Sequence, residues 1–440
     1  MIYGGDGLGR LPADEHGRGK AVFVPFVLPG ERVEAKLGEQ KPGFARGRLE
    51  RILQASPHRI DPACPHFLRC GGCHYQHSDY DEQLAIKADI LKENLRRLAK
   101  VELTGELQIH ASPPWGYRNR SRFRVRSEGA FAAGYFKLNS HELLPVESCP
   151  ISSLLINRAL AKLWELGRAG EVPAALREIE FFADADDAKM LAELYVSFDR
   201  SESKKKHDSG ATVKSVQEFV EALAKLLPEL TASSIYAQIT TGAPGAGGVI
   251  SEEALWTSNP EGLQYRARAA NYRVSAGSFF QVNRHLIDPL AEVVGGGHSG
   301  KLALDLYAGV GLFSTVLAAR FSHIVAVESS QCSFADLRYN APANVKAVRA
   351  GVEQYLAKHG EREKPDLVVV DPPRAGLGER VVQGLLKLAP QRITYVSCDP
   401  ATLARDLRPL VAGGYKLEQA HLFDLFPQTF HLESVLHMAR

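Results

Sequence analysis

The sequence has no long apolar run, since no stretch approaches the ~18 consecutive apolar residues of a membrane-spanning helix. Its first residues, MIYGGDGLGRL, lack the basic-then-apolar order of a signal peptide, so we expect a cytoplasmic protein that binds no membrane. Neither sign of charge dominates, because 53 basic side chains meet 51 acidic ones. We find no internal repeat, and a hydrophobic fraction of 45% argues against wholesale disorder, collagen-like repeats and coiled coil.

Cysteine is also sparse, with 6 residues in a chain of 440, which argues against a disulfide scaffold in a cytosolic protein. Three of the six, however, lie between positions 64 and 73, and this clustering indicates a metal centre. Cys64, Cys70 and Cys73, with Cys149 farther along the chain, supply four thiolates. Such a set suits a zinc ion or an iron–sulfur cluster, and chemistry alone does not choose between them.

A chain of 440 residues predicts two to four domains. Short β-rich runs broken by Gly and Pro predict a small N-terminal barrel, although an arbitrary β-rich cap has the same pattern. Apolar periodicity predicts a helix over residues 79–99, and after residue 271 the chain alternates strands and helices like a parallel, doubly wound sheet. The predicted domains are residues 1–55 (barrel), 56–270 (mixed α+β) and 271–440 (α/β, Rossmann-like).

Three acidic strand ends follow one another in the last domain. Asp305 opens the turn DLYAGVG after an apolar strand, Glu328 ends the next strand, and Asp371 begins DPPR after a third. Small residues in the turn let a ligand approach the backbone, and an acidic strand end accepts hydrogen bonds from ribose hydroxyls. This order is typical of methyltransferases that bind S-adenosylmethionine. A dinucleotide-binding Rossmann domain is the weaker alternative, because the turn is not GxGxxG.

Cys398 lies in YVSCDP, at the end of another apolar strand. Ligands of open α/β sheets bind beyond the carboxyl ends of the strands, so Cys398 should face the same cleft as Asp371. A lone cysteine is more often a buried structural residue. Its place between a strand of this domain and Asp399-Pro400 favours a nucleophile instead.

Five motifs in order resemble the RNA uracil-5-methyltransferases, which modify ribosomal and transfer RNA. They are SFFQVN at 278–283, DLYAGVG at 305–311, DPPRAG at 371–376, SCDP at 397–400 and HLESV at 431–435. The N-terminal module resembles the family's TRAM domain, an OB-like barrel that binds RNA. Relatives usually have a strand before MIYGGDG, so an incomplete barrel is one expectation.

The resemblance implies a mechanism and a set of site residues. Cys398 would add to carbon 6 of uracil, carbon 5 would take the methyl group of S-adenosylmethionine, and Glu433 would remove the proton left on carbon 5. Composition alone would instead predict that Glu433 is a surface residue of a terminal strand. The resemblance also implies that the methyl donor contacts Gln281, Tyr307, Glu328 and Asp371. It favours a [4Fe–4S] cluster over zinc at the four cysteines, in a structural role.

Five arginines alternate in the run YRNRSRFRVR, at positions 118, 120, 122, 124 and 126. On a strand, this spacing places all five on one face, where they suit RNA phosphates. A solvated, salt-bridged strand face is the alternative. Lys204, Lys205 and Lys206 form a second basic cluster, and here a solubilising loop is the favoured interpretation over an RNA contact.

We therefore expect a monomeric enzyme that makes 5-methyluridine in RNA. The four cysteines incline the prediction to 23S ribosomal RNA, with transfer RNA as the alternative. Two other classes stay open: a methyltransferase acting on an exocyclic amine, because DPP is shared with such enzymes, and a non-catalytic RNA-binding assembly factor. The helix at 79–99 is expected to pack on the catalytic domain.

Overall fold

The computed structural model describes residues 1–11, 19–103, 105–197, 207–241, 249–268, 270–359 and 364–440. The chain divides into two compact units. The first unit combines Met1–Pro114 with Leu356–Arg440, and the second is Trp115–Tyr355. Among the described helices, none has the length and apolar character needed to span a membrane. Because both ends of the chain build the first unit, residues far apart in sequence become neighbours there.

The first unit begins with a small β-sheet whose strands are β1 (Asp6–Arg10), β2 (Ala21–Pro25), β3 (Arg32–Gln40) and β4 (Phe44–Gln54). They lie in the order β1-β2-β4-β3. β2 alternates apolar side chains, so that Val22 and Val24 are buried against Val27 and Ala45. Gly47 packs tightly on this core, because a Cβ there would lie 3.2 Å from a methyl group of Val24.

A helix and a short strand follow in the same unit: α1 (Tyr80–Asn94), which continues into a π-helical turn (Leu95–Ala99), and β5 (Gln108–His110). The side chain of Asp79 accepts a hydrogen bond from the backbone N–H of Glu82 and so caps the start of α1. The apolar face of α1 buries Ile86, Ile90 and Leu91.

The second unit is built on a seven-stranded sheet in the order β12-β11-β10-β9-β6-β7-β8. Amphipathic α2 is capped by Ser153 and buries Leu160 and Leu163 among the sheet's apolar side chains. The strands are β6 (Arg120–Arg126), β7 (Ala132–Phe136), β8 (Leu143–Pro145), β9 (Leu176–Ala183), β10 (Met190–Ser197), β11 (Leu230–Thr241) and β12 (Val249–Thr257), with the helices α2 (Leu154–Arg168) and α3 (His207–Leu226).

Three parallel strands in the order β17-β16-β15 complete the second unit, together with an antiparallel hairpin of β13 and β14. The strands are β13 (Leu263–Ala267), β14 (Ala270–Val274), β15 (Gly300–Leu306), β16 (Phe321–Glu328) and β17 (Val345–Arg349). The helices are α4 (Ile287–Gly295), α5 (Leu312–Ala318), α6 (Gln331–Asn340) and α7 (Val352–His359). Apolar runs such as the end of β16 are buried, as expected of parallel strands covered on both faces.

The C-terminal part of the first unit contains β18 (Leu367–Val370), α8 (Gly378–Leu388), β19 (Arg392–Ser397), α9 (Pro400–Ala412), β20 (Lys416–Phe423) and β21 (Glu433–Ala439). Its strands run in the order β18-β19-β21-β20-β5. The pair β18–β19 is parallel, whereas β21 is antiparallel to β19 and to β20. α1 packs on α9, so the N-terminal and C-terminal parts of this unit share one core.

Candidate active site

The turn after β15, in the second unit, carries one group of the predicted site residues. Tyr307 has a positive φ of 67°, which is a strained conformation for a tyrosine and is typical of functional turns. The backbone N–H of Gly309 donates a hydrogen bond of 2.9 Å to Oε2 of Glu328, so the turn and the acidic end of β16 are joined directly. Gly311 has a φ of 95°, and a Cβ there would lie 2.9 Å from Leu337. This position therefore needs glycine.

Asp305 lies beneath this turn and is fully buried. Burial raises the pKa of its carboxyl to about 6, and the hydroxyl of Ser314 donates a hydrogen bond that opposes this shift. Asp305 therefore links the end of β15 to α5, the helix that follows the turn. Glu328 accepts a hydrogen bond from the backbone at the edge of the turn. An acidic residue at the end of this strand can also accept hydrogen bonds from ribose hydroxyls.

The segment that carries Gln281 is anchored in the same unit. Buried Asp336 accepts hydrogen bonds of 2.7 Å from the backbone N–H of Ser275 and from the hydroxyl of Ser278. The carbonyl of Gln281 itself accepts one from the side chain of Asn119, at 3.2 Å. Asp336 was missed by sequence reasoning, and no motif around it signals its role.

In the first unit, Cys398 is the single residue between the end of β19 and the N-cap of α9. The side chain of Asp399 accepts hydrogen bonds from the N–H groups of Ala401 and Thr402, and Pro400 occupies the first turn of the helix. Cys398 is thereby presented at the carboxyl end of β19, half-buried.

Glu433 is the neighbour of Cys398 across the sheet. Antiparallel pairing ends with Ser397 opposite Ser434, and Cys398 and Glu433 are the residues directly beyond this last pair. The two side chains are close enough for the charge of Glu433 to raise the pKa of the Cys398 thiol. Asp371 follows β18, which is parallel to β19, and acts electrostatically on both residues.

Burial and neighbouring acidic groups raise the pKa values of both Cys398 and Glu433. Burial, Glu433 and Asp371 raise the pKa of the Cys398 thiol to about 12, while Arg374 lowers it. Burial, then Asp371, holds the pKa of Glu433 well above its usual range, again opposed by Arg374. Perturbed groups that converge in this way are typical of catalytic sites. The structure thus brings together the predicted residues Cys398, Glu433 and Asp371, whereas Gln281, Tyr307 and Glu328 belong to the second unit.

The cysteine-rich segment precedes α1 in the first unit. The backbone N–H of Gly72 donates a hydrogen bond of 3.4 Å to Sγ of Cys70, and the N–H of Cys64 donates one of 3.1 Å to the side chain of Gln76. Cys73 is buried, and Cys149 belongs to the second unit. Within the described residues, no three or more His, Cys, Asp or Glu side chains converge to hold a metal ion. Among these residues the finding therefore supports neither form of the predicted four-thiolate centre, the [4Fe–4S] cluster or the zinc ion.

At three of the five alternating arginines the structure favours the alternative interpretation, a salt-bridged strand face. Antiparallel pairing of β6 with β9 sets Arg122 opposite Glu180 and Arg124 opposite Glu178. Ion pairs join Arg120, Arg122 and Arg124 to Glu178, Glu180 and Glu193. The acids that neutralise the row come from β9 and β10, more than 50 residues along the chain, so the alternation alone could not reveal them. Lys204, Lys205 and Lys206 lie outside the described residues.

Two family models match the chain. One, described as tRNA (uracil-5-)-methyltransferase, covers residues 79–440, and a TRAM domain model covers residues 3–49. An uncharacterized RNA methyltransferase of Aquifex aeolicus is 34% identical over 99% of this chain and 96% of its own length. Another, from Gloeobacter violaceus, is 32% identical over 100% of this chain and 95% of its own length.

A solved structure shares the fold. The tRNA (uracil-54, C5)-methyltransferase of Pyrococcus abyssi, in complex with S-adenosyl-L-homocysteine, matches with a TM-score of 0.72. It is 22% identical in sequence, and the match covers 99% of this chain and 100% of that one. The likeness shows the same methyltransferase fold.

Proposed function

The chain belongs to the tRNA (uracil-5-)-methyltransferase family, and from this premise we propose that it methylates carbon 5 of a specific uridine in 23S ribosomal RNA. It has a TRAM domain and the family's methyltransferase fold, and it is an S-adenosylmethionine-dependent RNA methyltransferase. The resemblance, the fold class and the enzyme class predicted from the motifs are therefore confirmed. The target RNA and the catalytic roles below are our proposal.

The pairing of Cys398 with Glu433 carries the proposed mechanism. Cys398, as the thiolate, adds through Sγ to carbon 6 of uracil, which makes carbon 5 nucleophilic. Carbon 5 takes the methyl group of S-adenosylmethionine, and S-adenosyl-L-homocysteine is the leaving group. Glu433 then removes the proton from carbon 5, and the bond from carbon 6 to Sγ breaks, returning its electron pair to sulfur. Burial and Asp371 raise the pKa of Glu433, which makes its carboxylate a stronger base than that of an exposed glutamate.

The residues of the second-unit turn fit a nucleoside ligand. Glu328 is held by backbone N–H groups of Gly309 and Ser330, which leaves lone pairs of its carboxylate to accept hydrogen bonds from ribose hydroxyls. We propose that Gln281 and Tyr307 are the other residues of this unit that contact S-adenosylmethionine. Asp371, beside Cys398, is proposed to contact the donor or the uracil.

We keep a [4Fe–4S] cluster as a structural group held by Cys64, Cys70, Cys73 and Cys149. The support is the set of four thiolates and the N–H of Gly72 that points at Sγ of Cys70, since hydrogen bonds to sulfur are typical around such clusters. Analysis of iron, zinc and acid-labile sulfide in anaerobically purified protein tests the assignment. Equal molar amounts of acid-labile sulfide and iron would support the cluster. Protein that contains neither iron nor zinc would refute it.

RNA containing 5-fluorouridine tests the mechanism and the substrate together. Fluorine on carbon 5 cannot leave as a proton, so the adduct to Cys398 should persist on a denaturing gel. Protein and S-adenosylmethionine are incubated with fluorinated fragments of 23S RNA and, separately, with fluorinated transfer RNA. We expect an adduct with 23S RNA that is absent in Cys398→Ala and present in the matched variant Cys332→Ala, which changes an exposed cysteine.

The other outcomes separate the alternatives. An adduct formed only with transfer RNA would refute the ribosomal assignment and keep the mechanism. Methylation that survives in Cys398→Ala would favour an exocyclic amine as the target. Protein that binds S-adenosylmethionine but forms no adduct with either RNA would refute the cysteine mechanism, and failure to bind the donor would favour a non-catalytic assembly factor.

A further inference from the structure

The N-terminal segment of the chain reaches the proposed nucleophile. The phenol of Tyr3 donates a hydrogen bond of 3.0 Å to the backbone carbonyl of Cys398, although 395 positions separate the two residues. Burial, with the negative charges of Asp399 and Cys398, raises the pKa of Tyr3, so the phenol stays protonated and remains a donor. Because Cys398 is the only residue between β19 and the N-cap of α9, this bond restrains the peptide that directly follows the thiol-bearing residue.

Tyr3 also contacts the loop that leads to Glu433. Its ring packs edge-on against Phe430, with centroids 5.4 Å apart and an interplanar angle of 87°. Phe430 in turn packs against His74 at 4.6 Å. Edge-to-face pairs of this kind favour a definite geometry as well as burial. One side chain therefore touches the backbone of the nucleophile and the segment three residues before the base.

That loop is held in a strained conformation. Gln428 has a positive φ of 69° and is buried. Its carbonyl accepts hydrogen bonds from the N–H groups of His74 and Tyr75, at 2.8 and 3.0 Å, and its side chain accepts one from Gln83 at 3.0 Å. Strain of this kind persists only where neighbouring contacts over-determine the backbone. The loop is thus fixed from the N-terminal part of the unit, and Tyr3 is the residue that links it to Cys398.

We propose that Tyr3 is a positioning residue that holds Cys398 and the loop before Glu433 in the geometry of reaction, a role that rests on the proposed function. The phenol acts on the Cys398 peptide and the ring acts on Phe430, so the two parts of the side chain can be tested separately. Tyr3→Phe removes the hydrogen bond alone. Tyr3→Leu removes the hydrogen bond and the aromatic contact.

Tyr415→Phe is the matched control, because the phenol of Tyr415 donates a single hydrogen bond of 2.8 Å to the carbonyl of Pro390, before the start of β19. Adduct formation with 5-fluorouridine RNA is measured at increasing RNA concentration in all variants. We expect Tyr3→Phe to lower the maximal rate about tenfold, the equivalent of one hydrogen bond, with KM for RNA changed less than about twofold. Tyr3→Leu should lower it further, and Tyr415→Phe should match the wild type.

A second readout needs no RNA. Iodoacetamide labelling of Cys398, located by mass spectrometry across a range of pH, should change in rate in Tyr3→Phe and not in Tyr415→Phe. Equal maximal rates in the two phenylalanine variants, or a higher KM with an unchanged maximal rate, would overturn the proposal. If wild-type protein forms no adduct, the proposed function fails instead. The labelling profiles then decide the role of Tyr3 by themselves.

Discussion

At the scale of the residue, the thiol of the proposed nucleophile, Cys398, is protonated near neutral pH and therefore weakly nucleophilic. Burial and the neighbouring carboxyl groups of Glu433, Asp371 and Asp399 raise the pKa of Cys398 to about 12, so little thiolate exists near neutral pH. Arg374 is the cation that opposes this effect on Cys398 and on Glu433. The thiol therefore resists oxidation and alkylation until its electrostatic surroundings change.

Glu433→Gln should lower the pKa of the Cys398 thiol, because a neutral amide replaces a carboxylate that ionises before the thiol does. The rate of iodoacetamide labelling at Cys398, followed by mass spectrometry, should rise severalfold between about pH 8 and pH 10. Arg374→Gln should have the opposite effect. Glu379→Gln, an exposed residue of α8, is the control. Identical labelling profiles for Glu433→Gln and wild type would contradict this account of the thiol.

At the scale of the element, α1 is joined to the loop between β20 and β21 by a buried ion pair. Nζ of Lys87 lies 2.6 Å from Oδ1 of Asp424, and both side chains are 0% exposed. Lys87 also donates a hydrogen bond of 3.0 Å to the carbonyl of Phe426. Burial lowers the pKa of Lys87, and Asp424 opposes this shift. Buried pairs of this kind specify geometry more than they add stability.

Lys87→Met should destabilise the protein by about 3–5 kcal/mol, since it leaves the Asp424 carboxylate buried without its cation. Urea unfolding, monitored by fluorescence, measures the loss. The double variant Lys87→Met/Asp424→Leu should recover most of it, because an apolar pair of similar volume removes both desolvation costs. A loss below about 0.5 kcal/mol in the single variant would mean that the pair does not hold α1.

At the scale of the whole molecule, charge is balanced rather than concentrated. The net charge is +2, and three of the five alternating arginines, Arg120, Arg122 and Arg124, form ion pairs within the second unit. Phosphate binding needs cations that are not already committed to carboxylates. RNA affinity should therefore come from other parts of the chain, including the TRAM domain.

Arg122→Gln should reduce stability by about 2 kcal/mol while changing RNA affinity less than about twofold, because this guanidinium binds Glu180 and lies over Tyr195. Arg126→Gln, an exposed residue of the same strand, should change stability by less than about 0.5 kcal/mol. Thermal unfolding and RNA titration at several salt concentrations measure the two effects. A large loss of RNA affinity at unchanged stability would restore the arginine row as an RNA contact.

Local features were determined by the sequence itself. The turn DLYAGVG, the strand ends at Glu328 and Asp371, and Cys398 between a strand and an N-capped helix all follow from short stretches of chain, because strand burial, glycine conformation and helix capping are local. The five motifs in order also sufficed to identify the family. The domain boundaries, the cluster ligands, the cytoplasmic location and the monomeric state stay predictions.

Only the tertiary structure decided which distant groups meet. Tyr3 reaches Cys398, Gln83 reaches Gln428, and glutamates of β9 and β10 neutralise arginines of β6. These contacts join residues tens to hundreds of positions apart, and no periodicity or spacing in the chain encodes them. Strand register and the packing of α1 on α9 bring them together. The sequence therefore determined which chemical groups are available, and the fold decided whether each faces a partner or a carboxylate that neutralises it.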